Sequence, residues 1–301
     1  MQFFSANHEE RQDLLLCRIL LAGLFLLLFA VFPRNAQTQE RVSTRVYGPF
    51  ACWAEFDLTP ADETLKELSR ISEVLEERLD LPGSQEWIEL YVFADEVQWR
   101  AFLEREYPNI PYRRALFLKK QNQHGQLFLY FSENFARDLR HEGTHAFLHA
   151  VLPEVPIWLD EGLAEYFEVG VSDPEKPHRL FSDGLFHRTE TIPKEVRASE
   201  WFPPIRERAE RGELPPLSEL ESLRDMSEMT AERYAESWAW VTFLLHGPEP
   251  VRKILPAYIS ELHKRKTLPI FPFHPISRRL EKVYPDPTAE LTQFFKRFPK
   301  S

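Results

Sequence analysis

The sequence predicts an α+β fold: a small mixed sheet, then one helix that carries the chemistry, then a mainly helical C-terminal part. Three observations point there. Short aromatic or β-branched runs bounded by turn residues fill positions 47–131, an amphipathic helical stripe is interleaved with them, and apolar residues at three- and four-residue spacing dominate 132–299. With 43% hydrophobic and 28% charged side chains, 301 residues are enough to bury a substantial core.

The first element is a strand over Tyr47 to Leu58. Thr59-Pro60 then opens a helix, with Thr59 as N-cap and Pro60 at the first helical position, where its missing N–H costs nothing. Leu65, Leu68, Ile71, Val74, Leu75 and Leu79 form one apolar face, and Pro82-Gly83 closes the helix. Trp87 to Phe93 reads as a strand and Asp95 to Tyr107 as a helix. Arg114 to Lys119 and Gln126 to Phe131 read as a hairpin around His124-Gly125. Helices follow at Glu133 to Val151, Pro156 to Glu168, Ala231 to His246, Glu249 to His263 and Thr288 to Phe298. Between Gly170 and Pro216 the Pro- and charge-rich composition predicts an inserted loop region over the site. The organisation is thus an N-terminal segment (1–36), a linker (37–46) and a single domain (47–299), sheet-rich to 131 and helical from 132.

Ile19 to Phe32 is an apolar run of fourteen residues preceded by Arg11 and Arg18. That length suits a secretory signal and falls short of the roughly 20 residues of a membrane span. Ala36 is the small residue for cleavage, but Arg34 sits where a second small side chain is wanted. Two outcomes stay open on equal terms, a cleaved signal peptide with a secreted or periplasmic product and an uncleaved N-terminal membrane anchor, with a buried core helix well behind both. A formal charge of −10 argues against nucleic acid as a partner, since phosphate tracking requires clustered Lys and Arg. With Cys17 inside the apolar run, Cys52 has no disulfide partner in the folded body.

The chemistry centres on Leu139 to His149, LRHEGTHAFLH. Residues four apart share a helix face, so His141 and His145 can present their rings to one metal ion. Glu142, about 100° round the helix, flanks that ion and is placed to take a proton from water acidified by it. Sixteen residues after His145 comes Glu161, within Pro156 to Phe167. The gap allows a turn and a second helix, which would complete a His₂Glu set around one Zn²⁺ with a position left for water.

The stretch Trp158-Leu159-Asp160-Glu161-Gly162-Leu163-Ala164 resembles the Trp-Leu-x-Glu-Gly-x-Ala of gluzincin metallopeptidases of the aminopeptidase N type. The longer segment, with Gly212 to Leu217 and Tyr234 to Trp240, is also similar to a bacterial, often planctomycete, group of zincins, the peptidase MA-like group. The resemblance covers roughly Phe50 to His263, with specific motifs only from His141 to Trp240. It implies a zincin-like metallopeptidase fold, Glu161 as third metal ligand, and peptide or protein substrates.

By the same resemblance Tyr234 would donate to the oxyanion of a tetrahedral intermediate, with His246 as second choice, against the plain alternative of a core tyrosine. Glu165, one turn beyond Glu161, would accept from the far ring nitrogen of His141 or His145, or else be a solvated glutamate. His149 is too far along the helix to ligate and reads as support or core. His124, His178, His187, His263 and His274 read as surface residues. By analogy with zincins, the Gln126 to Phe131 backbone would be the rail for extended substrate. Gly143, costly inside a helix, suggests a close neighbour such as that strand. The expectation is zinc-dependent peptide hydrolysis with Glu142 as general base. Aminopeptidase and endopeptidase modes, hydrolysis of a non-peptide amide, and a non-catalytic exported scaffold that keeps the metal all remain open.

Overall fold

A computed structural model of the chain describes residues 43–120, 123–169, 192–265 and 274–298. The N-terminal signal or anchor, and residues 170–191 of the expected loop region, lie outside the described residues, as do His178 and His187. Among the described residues no helix is long and apolar enough to cross a membrane.

The fold is a mixed α+β arrangement. Its first strand is not one strand over 47–58 but a hairpin, β1 (Ser43–Tyr47) and β2 (Phe50–Ala54), turning at Gly48 with φ of 56°. The supposed linker therefore contributes a strand, and the Gly48-Pro49 pair was the turn signal inside the aromatic run. The helix opens at Thr59 with a turn of 3₁₀ and continues as α1 (Asp62–Leu79), all six stripe residues buried. Thr59 is not its N-cap: its hydroxyl bonds back to Asp57 at 2.7 Å.

Three further strands, β3 (Ile88–Phe93), β4 (Ala115–Leu118) and β5 (Gly125–Tyr130), and α2 (Glu96–Glu106) complete the sheet layer. The strand order is β1-β2-β3-β5-β4. β2, β3 and β5 run parallel, while β1 and β4 are antiparallel to their neighbours. One face, with Cys52, Leu90 and Leu127, belongs to the main core. On the other, Phe128 and Leu116 pack with Trp99 and Leu103 of α2. Asp95 caps α2 by accepting from the Gln98 N–H at 2.9 Å.

The helical part begins with α3 (Phe135–Val151) and α4 (Ile157–Glu168). The part of the expected loop region that is described is largely helical, with α5 (Lys194–Arg197), α6 (Phe202–Arg211) and, just beyond it, α7 (Leu217–Glu221). Phe202, Ile205 and Ala209 form the buried stripe of α6, which the Pro203-Pro204 pair and the flanking charges obscure in the sequence. α8 spans Ala231–His246 as expected, with Thr230 as N-cap. The next predicted helix is broken at Lys253 into α9 (Glu249–Arg252) and α10 (Ile254–Arg265). α11 (Ile276–Glu281) and α12 (Pro287–Lys296) end the described chain.

α4 sits between α3 and α8. A methyl group at Gly162 would meet the Ser237 carbonyl oxygen at 2.7 Å and Val241 Cγ2 at 2.8 Å, so only glycine lets the α4 and α8 backbones approach this closely. Gly143 has a related role: a Cβ there would lie 2.4 Å from Leu68 Cδ2 of α1. Its close neighbour is therefore that helix, not the strand at 126–131.

Candidate metal centre

α3 presents His141 and His145 one turn apart on the face it turns to α4, and the first turns of α4 return Glu161 to the same point. The His141 and His145 Nε2 atoms lie 3.1 Å apart, and each is 3.6 Å from Glu161 Oε2. The last two separations are too long for hydrogen bonds. A tetrahedral ion bound at about 2.0–2.1 Å holds its ligands about 3.3 Å apart, so the triangle fits a zinc-sized ion. These three residues form a group that could hold a metal ion, with His145 and Glu161 buried.

What stands behind each ring supports the same fit. His141 Nδ1 is 2.7 Å from Glu168 Oε1, and His145 Nδ1 is 2.8 Å from Asp160 Oδ1. A carboxylate only accepts, so each imidazole donates through Nδ1 and turns the lone pair of Nε2 toward the other histidine. Two facing lone pairs at 3.1 Å repel unless a proton or a metal cation lies between them.

The electrostatics describe a basin for positive charge. Burial alone would lower both histidines, but the Glu161 and Glu168 carboxylates outweigh it and raise His141 to about 10. Asp160 and Glu161 do the same for His145, which is raised well above its ordinary value. Burial would raise Glu161, yet the two histidines bring it down to about 2. Asp160 is likewise held below the usual carboxylate range.

Glu165 does not take the place expected for it. The far nitrogens go to Glu168 and Asp160, and Glu165 instead accepts from Trp201 Nε1 at 2.6 Å. It is buried rather than solvated, and burial together with the charge of Glu168 raises it to about 7. A second group that could hold an ion, His141 with Glu165 and Glu168, overlaps the first through His141. Glu168 is steadied by an ion pair from its other oxygen to Arg137, which also reaches Glu200. Sequence reasoning missed Glu168 and Asp160. The signal for Glu168 was present, seven residues beyond Glu161 and so on the same helix face.

Glu142 accepts from the Phe117 N–H at 3.0 Å. Phe117 lies on β4, one of the two edge strands, and its N–H bonds to Glu142 rather than to β5. The β5 backbone is paired with β3 on one side and β4 on the other, so 126–131 has no free edge for substrate. Among the described residues β4 has no strand on its side toward α3; it is anchored by Arg114, which grips Asp138 through two hydrogen bonds of 2.9 and 2.8 Å.

Tyr234, in the first turn of α8, is half-buried rather than part of the core. Burial and the charges of Glu161, Glu165 and Glu142 raise its hydroxyl to about 12, which puts it within electrostatic reach of the cluster. His246 is twelve residues on, about 18 Å along the same helix. It is fully buried and bonded to the Tyr166 hydroxyl at 2.7 Å, so it serves the core and not the cluster. His149 is 2.8 Å from the second oxygen of Asp160. His124 and His274 are exposed as expected; His263 is partly buried and bonds the Val151 carbonyl at the end of α3.

Comparison with protein-family models and with curated proteins returned no match.

Proposed function

We propose that the chain is a zinc-dependent peptidase of the gluzincin type with a zincin-like fold. The observation that carries this reading is the triangle of His141 Nε2, His145 Nε2 and Glu161 Oε2, each ring backed by a carboxylate, with Glu142 one residue from the first histidine. His141, His145 and Glu161 would hold the ion. When bound, zinc supplies electrophilic polarisation of a carbonyl and acidifies water.

The chain's own groups supply the rest. A peptide laid along the open side of β4 would be read through backbone hydrogen bonds. The Phe117 N–H holds the Glu142 carboxylate in place, and Glu142 accepts the proton of the attacking water and delivers it to the leaving amine. Tyr234 donates its hydroxyl proton in a hydrogen bond to the developing oxyanion, a role that its high pKa leaves available at neutral pH. The apolar run Ile19 to Phe32 supports export, as a cleaved signal or as a retained membrane anchor.

One observation favours a second reading. Because Glu142 also bonds the edge strand, it has a structural use, and a non-catalytic zinc-containing scaffold would keep it too. Glu142→Gln separates the two readings, since the amide oxygen still accepts from Phe117. The purified chain should hold about one zinc ion and cleave members of an unbiased peptide library. The variant should keep its zinc and lose the cleavage. A wild-type chain that holds zinc and cleaves nothing supports the scaffold, and one that holds no zinc refutes both.

A further inference from the structure

His145 is held from behind by Asp160, and Asp160 is itself held by a residue that the proposed chemistry leaves unused. Its Oδ1 lies 2.8 Å from His145 Nδ1 and its Oδ2 lies 2.8 Å from His149 Nε2. His145 and His149 are one turn apart on α3, so two successive rings of one helix face grip opposite oxygens of one carboxylate on α4. The carboxylate cannot turn about its Cβ–Cγ bond without breaking one of them. Since Asp160 only accepts, His149 donates through Nε2.

His149 is fixed in its turn. Its carbonyl accepts from Lys119 Nζ at 2.8 Å, Lys119 pairs with Glu86 at 2.6 Å, and the ring sits 5.7 Å from that of Phe117 on β4. Yet the His149 side chain keeps 31% of its surface exposed, against 9% for His145. A histidine chosen for core packing would be buried; this one is placed by its hydrogen bond.

We infer that His149 is a positioning residue for the metal: it locks the Asp160 carboxylate, and the locked carboxylate sets the tautomer and direction of His145 Nε2. This rests on the metal reading of the cluster and adds to it a histidine one layer further from the ion. It also explains the third histidine of the LRHEGTHAFLH face, which is out of range as a ligand.

The test is zinc affinity of the full-length chain, measured by competition with a chromophoric chelator, for wild type, His149→Ala, His149→Gln, Asp160→Ala and the His149→Ala/Asp160→Ala double variant. Outer-shell partners of ligating histidines typically contribute 10–100-fold to metal affinity, and His149→Ala should fall near the lower figure, about 10-fold. Glutamine can still donate to Asp160, so His149→Gln should stay within about threefold of wild type. In the Asp160→Ala background, removing His149 should cost no more than about twofold further, because its route to the ion is gone. Unchanged affinity in His149→Ala, or an equal loss with and without Asp160, overturns the inference and leaves the metal site standing. A wild-type chain that binds no zinc overturns the site as well.

Discussion

Replacing Gly162 by alanine should damage the fold and the proposed metal site together. The added methyl would sit 2.7 Å from the Ser237 carbonyl oxygen and 2.8 Å from Val241 Cγ2. The first of these is backbone and cannot rotate away. Ordinary contact begins near 3.4 Å, so α4 and α8 must part by about 3.4 − 2.7 = 0.7 Å. Overpacking of this kind costs about 1–3 kcal/mol, and alanine returns at most about 1 kcal/mol through helix propensity. With the full return the net loss is up to about 2 kcal/mol, which lowers the melting temperature of a domain this size by up to about 4–8 °C. Glu161 precedes the substituted residue, and a shift of several tenths of an ångström exceeds the roughly 0.2 Å that a metal bond tolerates, so zinc affinity should fall as well. Gly143→Ala is the control: it meets the mobile end of Leu68 at 2.4 Å, and its net effect should stay within about 1 kcal/mol. Thermal unfolding followed by circular dichroism in chelator, then a zinc titration, measures both quantities. If Gly162→Ala melts at or above wild type and binds zinc as tightly, the close approach of α4 and α8 is not what holds Glu161.

Two further outcomes can be checked independently. His246 is buried and held down to about 3 by burial and by the charges of Arg252 and Arg78, whereas the unfolded chain titrates near 6.5. As pH falls below 6.5 the unfolded state takes up a proton that the folded state refuses, so stability is lost progressively down to about pH 3. At pH 5 the loss is about 2 kcal/mol relative to pH 8. His246→Gln, which can still accept from Tyr166, should flatten denaturant-derived stability between pH 5 and 7; an unchanged slope would mean that another group sets it. Tyr234→Phe should lower kcat on a cleaved peptide by about 10²–10³-fold with zinc content unchanged, and an unaffected kcat would return Tyr234 to a packing role.

What the sequence shows and what it hides follow physical lines. The α1 stripe, α2 and α8 were legible because amphipathic spacing is local; the caps were not, since Thr59 was read as an N-cap that it is not, and Asp95 and Thr230 were passed over. The convergence of His141, His145 and Glu161 was legible because a helix face and a short turn are nearly local too. The strand order was not: periodicity shows which residues face a core, but not which edges pair, and so β5 was taken for an open strand although both its edges are paired. α6 hid behind a proline pair at its start, where proline is tolerated and where it reads as a loop. The backing carboxylates were the hardest to assign. Asp160, Glu165 and Glu168 are three acids on one short helix, and one rotation of the side chains decides which of them meets a histidine.

The whole cluster from His141 to Glu168 lies within a single helical hairpin of 28 consecutive residues. Bringing its halves together requires closing only a short loop, so the site can assemble before the sheet or α8 is in place. A metal ion could then grip the hairpin in a partly folded chain and act as a template for the rest. Zinc would bind the incomplete chain more weakly than the finished one, in which α8 fixes Glu161, and whatever affinity the partly folded chain keeps would subtract from the stabilisation zinc confers at equilibrium. Its larger effect would be on how quickly the chain folds.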